Sequence, residues 1–95
     1  MSEQPERAER WVRAPGWDAV LMGEEYVMMS VQHGEYYAVK GVAATVWRAL
    51  EEPHDLDGLA ALVAEEYDVT AEGCRDDVAA FLAQLRDKGM VQPAA

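Results

Sequence analysis

The stretch GEYYAVKGVAATVWRAL, Gly34–Leu50, decides the fold because it passes from a strand pattern to a helix pattern with almost no linker. Residues 36–39 are aromatic and apolar, as is typical of a β-strand. From Val42 onward the apolar residues recur at helical spacing. The sequence therefore predicts that a sheet ends here and that helices follow.

Two more strand patterns precede this stretch, WDAVLM and EYVMMSV. The connections between the three patterns contain GE and QHG, which have the length and composition of hairpin turns. Three short strands joined in this way form an antiparallel meander. The strand at residues 35–40 is then the third strand and lies at one edge of the sheet.

Three helix patterns follow, and each has one apolar face. Pro53 ends the first helix, Asp55 and Thr70 cap the second and third, and Gly89 ends the third in a left-handed conformation. The apolar faces consist of Ala43, Val46, Trp47 and Leu50, then Leu56, Leu59, Val63 and Tyr67, then Cys74, Val78, Phe81, Leu82 and Leu85.

The predicted fold class is α+β, with a three-stranded antiparallel sheet followed by three helices that cover one of its faces. A chain of 95 residues, 51% of them hydrophobic, is long enough for one compact domain. We expect a flexible N-terminal tail over residues 1–16, the domain over residues 17–91 and a C-terminal tail over residues 92–95.

The charge distribution argues against nucleic-acid binding. The net charge is −10, and it divides into zero over residues 1–13, −3 over residues 14–40 and −7 over residues 41–95. Such a surface repels phosphate backbones and attracts basic segments. No apolar stretch is long enough for a membrane helix, and the N-terminus lacks a signal core. A single cysteine is consistent with a reducing compartment, so we expect a cytoplasmic protein.

No residue pattern predicts catalysis. His33 and His54 are expected in surface loops without a second ligand at metal-binding spacing. Cys74 lies on the apolar face of the third helix, where cysteine is usually a small buried hydrophobe. Adjacent acidic pairs point about 100° apart on a helix and form no acid–base dyad. We therefore predict that the chain is not an enzyme and has no metal or cofactor.

The third strand is the best candidate for function. An edge strand presents unpaired N–H and C=O groups, and this one has only Glu35 and Lys40 at its ends to blunt it. Such an edge can add a peptide as a further strand. Tyr36 and Tyr37 point to opposite faces, and the sequence leaves open which of them faces the helices.

The chain resembles the PqqD-like family, the recognition elements of pathways that make ribosomal, post-translationally modified peptides. The resemblance is carried by G-x-Y-Y-x-V, A-x-x-W-x-x-L, P-x-x-L-x-x-L and D-V-x-x-F-L-x-x-L-x-x-x-G-x-V, and it covers residues 17–91. It implies a winged helix-turn-helix-like arrangement. It also implies that the leader of a precursor peptide binds antiparallel to the third strand, in a groove beside the third helix.

The resemblance assigns leader contacts to both elements. The third strand would pair with the leader, the apolar stripe of the third helix would divide between core and groove wall, and polar residues would line the rim. The predicted leader-binding residues are Tyr36, Tyr37, Ala38, Val39, Arg75, Asp77, Val78, Phe81, Leu82, Gln84 and Leu85.

A domain of this kind without a fused enzyme is similar to the separate recognition proteins of lasso peptide pathways. The resemblance then implies two partners besides the leader: a cysteine-protease-like leader peptidase and the macrolactam-forming cyclase. A peptide chaperone of the PQQ pathway, serving a radical enzyme, is the alternative. Two further alternatives are a winged-helix DNA binder and a domain that dimerises through its edge strand.

Overall fold

The computed structural model describes residues 9–94, and it shows a three-stranded antiparallel sheet followed by three helices, as predicted. A second, two-stranded sheet joins the ends of the described chain. In chain order the elements are β1 (Trp11–Arg13), β2 (Asp18–Met22), β3 (Glu25–Ser30), β4 (Glu35–Val39), α1 (Val42–Ala49), α2 (Leu56–Glu66), α3 (Ala71–Asp87) and β5 (Val91–Pro93).

The larger sheet is a meander in the order β2-β3-β4, and β4 is the predicted third strand. The β2–β3 turn has only two residues, of which Gly23 has a φ of 66°, a conformation that glycine adopts without strain. In the register, Met28 lies between Ala19 and Tyr37. Because Met28 is fully buried, this row of side chains faces the helices.

The helices begin where the sequence predicts caps. The Asp55 side chain accepts a hydrogen bond of 2.7 Å from Gly58 N, and Thr70 Oγ1 accepts one of 2.9 Å from Gly73 N. Both bonds satisfy an N–H group that would otherwise lack a partner at the helix start. None of the helices in residues 9–94 is both long enough and apolar enough to cross a membrane.

One apolar core lies between the helices and the inner face of the sheet. It includes the predicted residues of all three helices except Ala43 and Tyr67. Ala43 is only half-buried, and Tyr67 caps the end of α2 and is partly exposed. The largest fully buried side chains are Trp47, Met28, Leu50, Leu59, Met90, Val46, Val63 and Val78.

The ends of the described chain differ from the prediction of two tails. β1 pairs antiparallel with β5, so that Trp11 lies opposite Pro93, and Trp11 is only 6% exposed. Trp11 also exchanges backbone hydrogen bonds of 2.8 and 2.9 Å with His54. The packed unit therefore extends beyond residues 17–91 in both directions. Residues 1–8 and 95 of the predicted tails lie outside the described residues.

Arg13 fixes β1 against α1. Its guanidinium lies 4.5 Å from the Trp47 ring centroid and donates to the Trp47 carbonyl oxygen from Nε at 3.1 Å and from Nη2 at 2.8 Å. Burial lowers the pKa of Arg13, and the nearby Glu51 carboxylate opposes this shift. Arginine stays protonated in proteins in spite of such a shift. Its positive charge therefore interacts favourably with the carbonyl groups at the C-terminal end of α1.

Candidate functional site

The site is built from the free edge of β4. Among the described residues, β4 pairs with β3 on one side and with no strand on the other. The edge is short and contains neither proline nor a central charge. Its backbone is therefore available for pairing with a further strand.

The backbone groups that point to this free edge follow from the hairpin geometry. A two-residue turn requires the flanking pair, Met22 and Glu25, to be hydrogen-bonded, and the pattern alternates along the strands. The backbone N–H and C=O groups of alternate β3 residues, starting at Glu25, thus form hydrogen bonds with β2. Those of the residues between them form hydrogen bonds with β4. It follows that Tyr36 and Ala38 present their N–H and C=O groups to the free edge.

Tyr37 is the tyrosine that faces the helices, because it shares its row with buried Met28. Its hydroxyl donates to Glu35 Oε1 at 3.2 Å, and its ring lies 5.8 Å from that of Trp17. Lys88 Nζ lies 4.7 Å from the Tyr37 ring centroid. Tyr36 points the other way and is 70% exposed. The register thus answers the question that alternation left open.

The Lys88 contact brings the end of α3 beside β4. One stripe of this helix, at spacings of four, seven and eleven residues, comprises Asp77, Phe81, Gln84 and Lys88, all within about 60° of one another around the axis. We call these four residues the open flank of α3. Phe81 is half-buried against the core, and the other three are exposed. Because Lys88 contacts Tyr37, we infer that the open flank and Tyr37 border a groove along the β4 edge.

The structure divides the predicted stripe of α3 between core and groove. Val78, Leu82 and Leu85 are buried in the core and offer almost no surface. Phe81 is the apolar residue of the stripe that is only half-buried, and it lies on the open flank. On β4, Tyr37 and Val39 are half-buried, whereas Tyr36 and Ala38 are exposed.

Arg75 does not lie at the rim of this groove, where we expected it. It is on the opposite side of α3, which we call the closed flank, and Nη2 contacts Asp57 of α2 at 2.9 Å. The helix rotates about 100° per residue, so Arg75 and Asp77 point about 160° apart. Asp77 and Gln84 are exposed on the open flank, and their contact with a leader stays a prediction.

Two residues of the site were missed by the sequence analysis, Lys88 and Trp17. Lys88 follows the same helical stripe one turn beyond Gln84, so the spacing contained the signal. Trp17 precedes β2, and its ring stacks on His33 at 5.6 Å as well as contacting Tyr37. No sequence pattern links Trp17 to these two residues, because the hairpin register alone brings them together.

The groove has the chemistry of a binding site for an extended chain. It combines backbone hydrogen-bonding groups, an apolar wall and single charges at Asp77 and Lys88. Within residues 9–94, no three metal-ligating side chains come together. A separate apolar cavity of about 200 Å³ lies on the closed flank, between Trp11, Leu56 and Leu82.

Three comparisons place these features among known proteins. The model of the family described as coenzyme PQQ synthesis protein D (PqqD) matches residues 25–91. The structure of TbiB1 in complex with the TbiA(beta) leader peptide is similar, with a TM-score of 0.78, 23% identity, and coverage of 88% of this chain and 98% of that chain. A structure of lasso peptide synthetase B1 complexed with the leader peptide has a TM-score of 0.74, 24% identity, and coverage of 87% and 98%. No curated protein sequence matches the chain. The two solved structures establish the likeness in fold.

Proposed function

This chain belongs to the PqqD family, and from that premise we propose that it binds the leader of a ribosomally made precursor peptide as a fourth strand beside β4. The observation that carries the proposal is the free β4 edge next to the open flank of α3, brought together by the contact between Lys88 and Tyr37. The two similar folds that were solved with leader peptides support the choice of ligand.

Strand addition accounts for the part of the leader affinity that does not depend on the leader's side chains. The outward N–H and C=O groups of Tyr36 and Ala38 offer up to four backbone hydrogen bonds, each worth about 1 kcal/mol net. An extended peptide also loses conformational entropy when it becomes ordered. Backbone pairing alone is therefore weak, and the affinity depends on one or two side chains that the peptide buries.

The groove accounts for the part of the leader affinity that depends on the leader's side chains. Side chains of an added strand alternate between the two faces, so every second leader residue points toward Tyr37 and Phe81. Both walls are aromatic, which favours apolar or aromatic leader residues at these positions. Lys88 and Asp77 add opposite charges along the open flank, which supports an ordered arrangement of polar leader residues.

We further propose that the chain delivers the leader to a separate leader peptidase in lasso peptide biosynthesis, with the macrolactam-forming cyclase acting afterwards. In this role the chain itself carries out no bond-breaking step and works in the cytoplasm. The recognition domain would then include the terminal strands as well as residues 17–91. The net charge of −10 supports steering of a basic leader, an effect that weakens as salt rises.

The family description favours a second candidate, a peptide chaperone of the PQQ pathway. The same β4 edge would serve that role, so the two candidates differ in the precursor and in the enzyme that receives it. Titration of the chain with leaders of both types discriminates between them. The lasso proposal expects tight binding of the lasso leader and at least tenfold weaker binding of the other.

The test of strand addition is a matched pair of proline variants, Ala38→Pro and Ala19→Pro. Each removes one outward N–H from an edge of the same sheet, Ala38 at the β4 edge and Ala19 at the β2 edge. Proline is tolerated where the N–H faces away from the sheet. In a titration with a fluorescent leader peptide, Ala38→Pro should weaken binding at least tenfold, and Ala19→Pro should leave it within twofold of the wild type.

Equal binding by Ala38→Pro and the wild type would contradict strand addition at β4. Circular dichroism of both variants shows whether the fold is retained. Val39 is a poor position for this experiment, because its N–H points to β3 and its loss would disturb the sheet.

A further inference from the structure

The apolar cavity on the closed flank of α3 has no role in the proposed function. Its volume is about 200 Å³, and the residues that line it are Trp11, Leu56, Ala79, Leu82, Ala83 and Arg86. The interior of a folded domain contains few voids larger than a water molecule. In other proteins an apolar cavity of about 150 Å³ binds benzene. This cavity therefore has room for a ligand with one ring.

Two alanine residues of α3 leave this space open. Ala79 and Ala83 are one helical turn apart, so they lie on the same side of the helix. They present only methyl groups to the space between Trp11 of β1 and Leu56 of α2. Trp11 and Leu82 are largely buried, and Leu56 is half-buried. A ligand in the cavity would remove the remaining apolar surface of these side chains from water, which is favourable.

Arg86 supplies a positive charge at the cavity. Its side chain is 48% exposed, and its Nε lies 3.4 Å from Oδ1 of the neighbouring Asp87. An exposed ion pair of this kind is weak, so the guanidinium can bind a different carboxylate in its place. Arginine holds a carboxylate through two parallel hydrogen bonds. A ligand that complements the cavity therefore carries a carboxylate beside its apolar part.

The surroundings of the cavity favour a small molecule over a protein partner. Six of the eight exposed large hydrophobic side chains in residues 9–94 lie within residues 20–36, and the other two are near the end of α2. None of the eight lines the cavity. The exposed side chains next to the lining residues are the charged Asp57 and Asp87. A stable protein interface needs about 800 Å² on each partner, whereas the apolar surface here ends at the cavity.

We propose that this cavity binds a small carboxylate that has one ring or a short branched chain. Its apolar part lies between Trp11 and Leu82, and its carboxylate pairs with Arg86. The cavity and the β4 groove are on opposite flanks of α3, so the carboxylate and the leader bind to separate sites. The inference goes beyond the proposed function and does not rest on it.

The test uses three probes: phenylacetate, its neutral isostere phenylacetamide, and acetate. Two-dimensional NMR of the isotope-labelled protein resolves the tryptophan indole N–H groups, of which Trp11 lines the cavity and Trp17 contacts Tyr37 at the groove. Phenylacetate should shift the Trp11 signal and leave the Trp17 signal unchanged. It should bind at least about fivefold more tightly than phenylacetamide, because the carboxylate pairs with a charged guanidinium. Acetate, which has no ring, should not shift the Trp11 signal.

Two pairs of variants locate the site. Ala79→Leu fills the cavity, and Ala80→Leu makes the same change at the next position, which is exposed and points about 100° away. Ala79→Leu should weaken phenylacetate binding at least about tenfold, because the added atoms occupy the space of the ligand. Ala80→Leu should leave it within about twofold, since it changes no lining residue.

The second pair removes one positive charge from the cavity or from α1. Arg86→Gln should reduce the affinity for phenylacetate to that for phenylacetamide. Arg48→Gln, at a similarly exposed position away from the cavity, should change neither affinity. Thermal unfolding without ligand shows whether each variant is folded. The exposed position of Arg86 keeps the test valid even if Ala79→Leu does not fold.

Several results would overturn the inference. They are an unchanged Trp11 signal with phenylacetate, equal binding of phenylacetate and phenylacetamide, or equal binding by folded Ala79→Leu and Ala80→Leu. A Trp11 shift with acetate would also overturn it, because it would indicate an adventitious ion at Arg86 only. Titration with the synthetic leader tests the proposed function separately, since a failure of leader binding leaves the phenylacetate result unchanged.

Discussion

The two flanks of α3 are used in different ways. The closed flank is covered by the chain itself: Arg75 contacts Asp57 of α2, and Trp11 of β1 lies beside Leu82 at the apolar cavity. The open flank faces the β4 edge, which it meets through Lys88 and Tyr37. One helix thus supports the fold on one side and leaves a groove on the other.

From this difference we expect stability and peptide binding to be separable on a single helix. Residues of the closed flank and their partners are expected to change the free energy of unfolding without changing the affinity of the folded protein for the leader. Residues of the open flank should do the reverse, apart from the part of Phe81 that packs on the core. The variants below test this separation.

The largest effect is expected for Trp11→Ala, on the closed side. Removing a buried tryptophan typically costs about 3–5 kcal/mol, out of a total stability of about 5–15 kcal/mol. Trp11 is 6% exposed and connects β1 to the core. Urea unfolding should show this loss, whereas Tyr36→Ala, at a 70% exposed position, should cost less than about 0.5 kcal/mol.

A loss below about 1 kcal/mol for Trp11→Ala would mean that β1 is a peripheral addition and that the domain is complete without it. Leader affinity, measured on the fraction that remains folded, should stay within twofold of the wild type in Trp11→Ala. A large loss of affinity in Trp11→Ala would contradict the separation of the two flanks.

The next effect is expected for Phe81→Ala, on the open flank. A half-buried aromatic residue in the centre of a groove is a typical binding hot spot, worth about 2 kcal/mol or roughly 30-fold in affinity. Leu56→Ala is the control, because Leu56 is a half-buried residue of similar character that lines the cavity on the closed side. It should lower stability and leave leader affinity unchanged in a fluorescence titration.

If Leu56→Ala weakened leader binding as much as Phe81→Ala, the loss would come from the general stability of the domain. The comparison between the flanks would then fail, and Phe81 would have no specific role in the groove.

The sequence predicted the parts of this arrangement that depend on local patterns. The meander follows from strand alternation and from the two short turns, and the helix starts follow from Asp55 and Thr70, whose side chains act within one turn. The apolar stripe of α3 follows from helical spacing. Each of these signals is contained within a few neighbouring residues.

The remaining features depend on contacts between distant parts of the chain. β1 and β5 have three residues each and lie at opposite ends of the described chain, so no periodicity reveals their pairing. Helical spacing shows which side of α3 carries Arg75. It does not show which element packs against that side, because this depends on tertiary contacts. The orientation of Tyr37 depended in the same way on its register with Met28.

The smallest effect provides the most direct test of the Arg75 assignment. Arg75→Gln and Lys88→Gln each remove one positive charge from α3, one from the closed flank and one from the open flank. Lys88→Gln loses the contact with the Tyr37 ring, worth about 0.5–1 kcal/mol at an exposed site, and should weaken leader binding about threefold. Arg75→Gln loses a partly exposed ion pair with Asp57, worth at most about 1 kcal/mol of stability, and should leave the affinity unchanged. If both variants weakened binding equally, the decisive factor would be the net charge of α3, and the position of each residue relative to the β4 edge would not matter.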